Sequence, residues 1–453
     1  MIKQIVWAAT VVLILSDCSV YKTFKTPEPA TTDLCGAGVV TQDSLPTVAS
    51  WREVFTDVPL QQLVEKALSA NTDLQTARLN IEQAEVSLLS SKLAYVPSFA
   101  FAPEGSTSKV RNEKAVSTYN LPLTMQWEVD IFGKLRNSKE QARATLLQSA
   151  EYAKMVQTQL IASLANHYYT LVMLDEQLRI TRMSAENQRE NLNVMVAMKE
   201  AGMQTETAVN QATADYYGVH SSERDLVKQI RQVENNISLL LNETPHTIAR
   251  SSIEETQVVG VDYTAPVPLA ALAIRPDVKN AEYALRGSFY DVNIARAAFY
   301  PSISLSGSIG WTNNPGVITN PGTMLLSAIG SLTQPLFNRG QNRARLKIAK
   351  SQYEQSLLAF EKALLVAGSE VNDALVVCQT SAEKSGFRRK QVEASRKAYE
   401  NSKELMKHTS TTYLEVLTAQ NTLLQSEILF VSDWFEGAQG RINLYKALGG
   451  GVE

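Results

Sequence analysis

Few residues in this 453-residue chain have the type and spacing for covalent or metal chemistry. His220, His246 and His408 have no second ligand at the spacing of a zinc site. His167 interrupts an apolar stripe and reads as a packing histidine, and Cys378 lies on such a stripe and reads as a small core residue. Gly36 and Gly38 lack the strand, the helix and the third glycine of a nucleotide site. There is no phosphate loop with its lysine, no nucleophile elbow and no HExxH. Carboxylates are plentiful but fall on amphipathic faces without a paired pattern. The net charge of −3 gives no basic field for nucleic acid. These residues favour structural readings over catalytic or metal-binding ones.

The remaining chemistry is that of a thiol. Ile5 to Leu15 is an apolar run, too short for a membrane span of ~20 residues but of signal-peptide length. Cys18 follows it directly in "LILSDCSV". The arrangement resembles a bacterial lipoprotein cleavage site, in which residues 1–17 are removed and Cys18 is acylated. Asp17 departs from that pattern, since the residue before the cysteine is normally small and uncharged. An ordinary signal peptide cut nearby, with Cys18 free or paired to Cys35, is the other reading. Ser19 rather than aspartate after Cys18 resembles lipoproteins sent to the outer membrane. Residues 18–50, with Pro27, Pro29 and Pro46, read as an extended tether.

Paired apolar and polar faces come next. In "LPLTMQWEVDIFGK", Leu121, Leu123, Met125 and Trp127 alternate with Thr124, Gln126, Glu128 and Asp130. That is a strand with one apolar and one wet face. It belongs to a unit that occurs twice. At a constant offset of 204, Asp73 pairs with Asp277, Ala77 with Ala281, Ala94 with Ala298, Pro97 with Pro301 and Ser98 with Ser302. Each copy predicts a helix (74–95; 277–299), a proline stop, a strand (about 96–109; 301–311), a turn and a second strand (about 118–131; 323–336).

Long helices then follow. No proline occurs from 123 to 244 or from 336 to the end. Leu346, Tyr353, Phe360, Ala367 and Ala374 recur every seven residues, accompanied by Leu357, Leu364, Val371 and Cys378. Leu146, Ala153, Leu160 and Leu174 repeat the pattern in the first half, with Ala150, Leu164, Leu171 and Leu178; Gln157 and His167 interrupt it. A sustained heptad means a supercoiling seam. The predicted helices are about 134–201 and 205–242, then about 338–408 and 412–447. The first would be roughly 100 Å long. The organisation is thus a first repeat over 51–250, a linker over 251–273 and a second repeat over 274–453. The fold class is α+β, mainly α: two pseudo-repeats, each a strand hairpin on a long α-helical hairpin. Four strands cannot close a barrel, and open edges are not tolerated in lipid. If the strands span a bilayer, the chain must oligomerise. On alternation alone, a water-soluble two-layer sheet explains the strands equally well.

"WEVDIFGKLRNSKEQA", "AFYPSISLSGSIG", "QPLFNRGQNRA", "YLEVLTAQNTLL" and "LYKALGGGVE" occur in that order over residues 50–453. Together they resemble the outer-membrane factor family, in its lipoprotein branch of efflux channels. The resemblance implies a homotrimer with a 12-stranded β-barrel on an α-helical barrel. It implies a periplasmic adaptor and a proton-driven inner-membrane pump as partners. Drugs, dyes, detergents or metal ions would be the cargo, with no cofactor. Leu121, Leu123, Met125 and Trp127 would then face outer-membrane lipid. The family's constriction lies at the periplasmic helix tips. Tyr413, Leu414, Ala419 and Gln420 match its motif, with Leu414 where relatives place a leucine ring. Thr418 replaces the usual acidic residue and Asn421 the usual arginine. Glu415, one residue after Leu414, is the nearest carboxylate and a candidate displaced ring; the other reading is a solvated glutamate. Three such carboxylates near one axis would repel one another. Gln204, Thr205 and Glu206 would form the adaptor contact on the first hairpin. A type I protein-secretion duct and a lipid-anchored periplasmic coiled-coil rod are the alternatives.

Overall fold

The computed structural model describes residues 21, 23–27, 50–109, 111, 114–256, 272–313, 323–407 and 413–451. Cys18, the leader over 1–17, most of the tether and most of the 251–273 linker lie outside the described residues. The chain forms two compact units. One takes residues 79–151 and 279–362 with Tyr21 and 23–27; the other takes 50–78, 152–278 and 363–453.

Helices α1 (Trp51–Val54), α2 (Val58–Ala70) and α3 (Thr72–Leu93) open the described chain. Asn71 caps α3: its Oδ1 accepts from the N–H of Asp73 and of Leu74, each at 3.0 Å. Next come strands β1 (Ser98–Phe101), β2 (Glu104–Ser108) and β3 (Val116–Val129). Helices α4 (Lys134–Glu200) and α5 (Glu206–Leu240) complete the first repeat. The second consists of α6 (Pro276–Ala297), β4 (Ser302–Thr312), β5 (Thr323–Thr333), α7 (Gln341–Lys407) and α8 (Tyr413–Ala447). Corresponding helices have equal lengths in the two repeats: 22, 67 and 35 residues.

In the first unit the strands make one antiparallel sheet in the order β1-β3-β4-β5, with β2 also on β3. The strand expected over 96–109 is two pieces on one register, Ser98 opposite Gln126 and Glu104 opposite Asn120. Ala102 still donates to the Pro122 carbonyl at 3.3 Å, but Pro103 has no N–H to give. The two repeats meet where β3 pairs with β4, from Asn120 opposite Thr312 to Val129 opposite Ile303. A Cβ on Gly310 would run into the Leu121 carbonyl and lie 2.8 Å from Pro122 Cα, so only glycine fits there. Strand passes into α4 through Asp130, whose carboxylate accepts from the N–H of Leu135 (3.0 Å) and of Arg136 (2.7 Å).

The second unit holds the main core. Leu160, Leu164, Leu171, Leu174 and Leu178 of α4 pack with Ile230 and Ile237 of α5 and Ala438 and Ile442 of α8. The heptad residues Leu364, Ala367, Val371, Ala374 and Cys378 of α7 are buried here, and Phe360 is buried in the first unit. Burial also lowers the pKa of His167. Buried polar pins fix the chain around the core. Tyr168 OH donates to Asp57 Oδ2 at 2.6 Å, and Ser251 Oγ donates to Oδ1 at 3.0 Å. Arg275, almost wholly buried, forks onto Asp277 (3.0 and 2.7 Å), reaches Glu370 at 2.6 Å and donates to the Ala447 carbonyl at 2.8 Å.

Candidate functional site

The pleat sorts the sheet into two faces. Leu121, Leu123, Met125 and Trp127 share one face with Phe99 and Phe101 of β1. The registers place Leu305, Ile309 and Trp311 of β4 and Leu326 and Leu332 of β5 on that same face. The opposite face carries Thr124, Gln126, Ser304, Ser308, Ser327 and Ser331. Hydroxyls pair across it, Ser304 with Ser331 at 2.6 Å and Ser308 with Ser327 at 2.8 Å. In a water-soluble two-layer sheet the apolar face would be buried. Here Phe99 is 67% exposed, Leu326 73% and Leu332 67%. Leu121 and Leu123 are exposed, and Met125 and Trp127 are half-buried. An uncovered apolar face backed by a hydroxyl face suits lipid on one side and water on the other. Trp127 Nε1 donates to the Tyr95 carbonyl at 2.9 Å, which ties the strand end to the end of α3. Both lateral edges of the sheet, β1/β2 and β5, have one side without a strand partner among the described residues.

The helix tips lie in the second unit. α4 ends at Glu200, and Gly202 takes φ +72° in the turn, while Met203 donates back to the Met198 carbonyl at 2.8 Å. Thr205 caps α5, its hydroxyl accepting from Ala208 N–H at 3.3 Å. Lys199 and Glu206 form an ion pair across the turn. Gln204 is half-buried, and Thr205 and Glu206 are exposed. On the second hairpin, Leu414 (66% exposed), Glu415, Thr418 and Asn421 occupy one open face of the first three turns of α8. Thr418 spends its hydroxyl on the Leu414 carbonyl, at 2.7 Å. The opposite face is buried. Tyr413 and Leu417 pack with Met195 of α4 and Ala212 of α5. Burial and the nearby Asp215 charge push the Tyr413 phenol up to about 12. Gln420 points inward and accepts from Asn191 Nδ2 at 2.7 Å. Neighbours on the heptad thus separate cleanly: Tyr413 and Gln420 hold the tip, while the other four project from it.

Among the described residues, no group of three His, Cys, Asp or Glu is placed to hold a metal. No described helix is long and apolar enough to cross a membrane.

The family profile described as "Outer membrane efflux protein" matches residues 63–243 and 267–450. The chain belongs to that family. The two matched stretches follow the two repeats. This outer membrane efflux protein is 28% identical to the probable efflux pump outer membrane protein TtgC of Pseudomonas putida, over all of this chain and 96% of that one. It is 26% identical to the cation efflux system protein CusC of Escherichia coli K12, over 97% of this chain and 98% of that one. Its fold matches a crystal structure of CusC with a TM-score of 0.85 at 25% identity, covering 96% of this chain and 100% of that one. The outer-membrane channel OprN gives 0.84 at 26% identity over 96% and 100%. The protein is an outer-membrane efflux channel, and its family is one of transport components rather than enzymes.

Sequence reading missed several buried polar residues that hold the long helices together. Gln188, Asn191 and Asp433 are buried, yet on a heptad they look like solvent-facing residues. The only signal was the stretch after Leu178 where Thr181, Ser184, Gln188 and Asn191 keep the stripe's spacing without its apolar character.

Proposed function

We propose that three copies of this chain join their sheets into one 12-stranded barrel and their helices into one duct. The duct is the exit channel of a tripartite efflux system. It takes cargo from an inner-membrane, proton-driven pump through a periplasmic adaptor, which contacts Gln204, Thr205 and Glu206. The cargo class is that of the relatives: toxic organic compounds, as for the toluene efflux protein of P. putida, or cations, as for CusC. The observation that carries this reading is an apolar sheet face that no described residue covers, between two edges without a strand partner among the described residues. Only further strands and lipid satisfy both at once. Acylation of Cys18 would anchor the chain to the same membrane.

Leu414, Glu415, Thr418 and Asn421 form the gate in this reading. Leu414 supplies an apolar plug around the axis, and Glu415 supplies the carboxylate that Thr418 lacks. The test is single-channel conductance of the purified channel in planar bilayers. Leu414→Ala raises conductance, and Glu415→Gln reduces cation selectivity. A protein that stays monomeric in detergent and makes no channels overturns the reading.

A further inference from the structure

The α4–α8 contact changes character along its length. Toward the main core it is apolar, with Leu171, Leu174 and Leu178 near Ala438 and Ile442. At the tip it is apolar again, around Met195, Tyr413 and Leu417. Between the two lies a polar stretch. Gln177, Thr181, Ser184, Gln188 and Asn191 line one face of α4, and Gln420 and Ser426 face inward from α8; all seven are buried. Two bonds fix the alignment of the antiparallel helices. Gln177 Nε2 donates to Ser432 Oγ at 3.0 Å, and Asn191 Nδ2 donates to Gln420 Oε1 at 2.7 Å. The groups between them are stranded. Ser184 Oγ, both amide atoms of Gln188 and Gln420 Nε2 have no hydrogen-bond partner among the described residues. Gln188 is 0% exposed, so a neighbouring copy cannot reach it.

Buried polar atoms left without a protein partner cost stability unless water fills the gap. We propose that this stretch binds a short file of water molecules. It serves as the slip plane along which the first turns of α8 part from α4 when the gate opens. The inference rests on the reading that the α8 tip is the gate. The physical logic is an asymmetry. Parting leucine layers exposes apolar surface and is opposed throughout. Parting a seam whose Ser184, Gln188 and Gln420 groups already hold water exposes little apolar surface and exchanges bound water for bulk water, so it costs far less. The face that moves carries Leu414, Glu415 and Thr418, while the leucine layers beyond Gln177 stay closed and act as the fixed end. The tip cluster around Tyr413 is small enough to act as the latch.

The test uses two opposite substitutions at one position in the full-length channel: Gln188→Leu, which fills the seam with apolar surface, and Gln188→Glu, which puts a charge in it. Openings are counted in planar bilayers, and hydrogen exchange is followed at the backbone amides of 413–426. Gln188→Leu should give roughly tenfold fewer openings and roughly tenfold slower exchange, the scale of one stranded buried amide. Gln188→Glu should move both the other way. Leu414→Ala, measured alongside, reports on the gate itself. If Leu414→Ala raises conductance but Gln188→Leu leaves openings and exchange unchanged, or increases them, the slip plane is wrong. If Leu414→Ala changes nothing, the gate assignment fails, and exchange alone then judges whether the seam is loose. Because Gln188→Leu removes a buried polar group, it stays informative even if Gln188→Glu does not fold.

Discussion

Asp433 offers the most exacting test of what holds the second helical hairpin together. Its carboxylate on α8 is nearly buried and takes Lys384 Nζ at 2.8 Å and Arg388 Nε at 2.7 Å, both from α7. Burial alone would push the Asp433 carboxyl up; the hydrogen bonds and charges of Lys384 and Arg388 outweigh it and hold it below the usual carboxylate range. Asp433→Asn removes the charge and keeps the shape. Breaking a buried pair typically costs ~3–5 kcal/mol. Lys384 is 43% exposed and keeps Glu436 at 2.7 Å, so its share must be discounted for solvent screening. Arg388, 18% exposed, supplies most of the effect. The expected loss is about 2–3 kcal/mol, a fall in melting temperature of roughly 4–8 °C by helix circular dichroism in detergent. The pH dependence has a definite sign. A depressed folded-state pKa gives stability that is present above the unfolded value of ~3.9 and is lost as pH falls through the folded value. The gap between wild type and Asp433→Asn should therefore be constant from pH 7 to 5 and close only below about pH 4. Replacing all three partners (Lys384→Met, Arg388→Leu, Asp433→Leu) should recover most of the loss, since no buried charge is left unpaired. An Asp433→Asn protein as stable as wild type, or a gap that closes near pH 6, would refute the reasoning.

Arg275→Ala removes the partner of Asp277 and Glu370 and leaves the Ala447 carbonyl without its donor; with Asp277 31% and Glu370 41% exposed and so screened by solvent, it should cost about 2 kcal/mol by thermal melt. Arg275→Lys should recover little of it, because an ammonium cannot fork onto Asp277. Gly310→Ala drives a methyl into the β3 backbone at Leu121 and Pro122. It should abolish detergent-resistant oligomers on unheated gels while leaving the helical signal largely intact.

The fold was legible because its two signals are strong and repeated. Heptads from Leu346 to Cys378 have few rivals in a proline-free stretch, and the alternation of Leu121–Trp127 survives in Ile303–Trp311. The break at Pro103 was written in the sequence, but a proline in an edge strand reads the same whether the strand ends or merely skips a bond. Whether the apolar face is covered by a second layer was not decidable from alternation; the exposure of Phe99 and Leu326 shows no such layer among the described residues. The polar seam at Ser184–Asn191 and the ion cluster at Asp433 were missed for a common reason. A polar residue on a heptad position looks solvent-facing until the partner helix is in place. Gln188 shows its cost only in the folded protein, where it is fully buried and its amide has no partner among the described residues.

The two unpaired sheet edges carry a genetic consequence. If every barrel is a ring that needs three sound copies, a damaged edge harms neighbours as well as its own chain. A cell making normal and edge-damaged chains in equal amounts would keep only about one-eighth of its rings free of damaged chains. Such an allele should behave as dominant over a healthy one, whereas a null allele that makes no chain should be recessive.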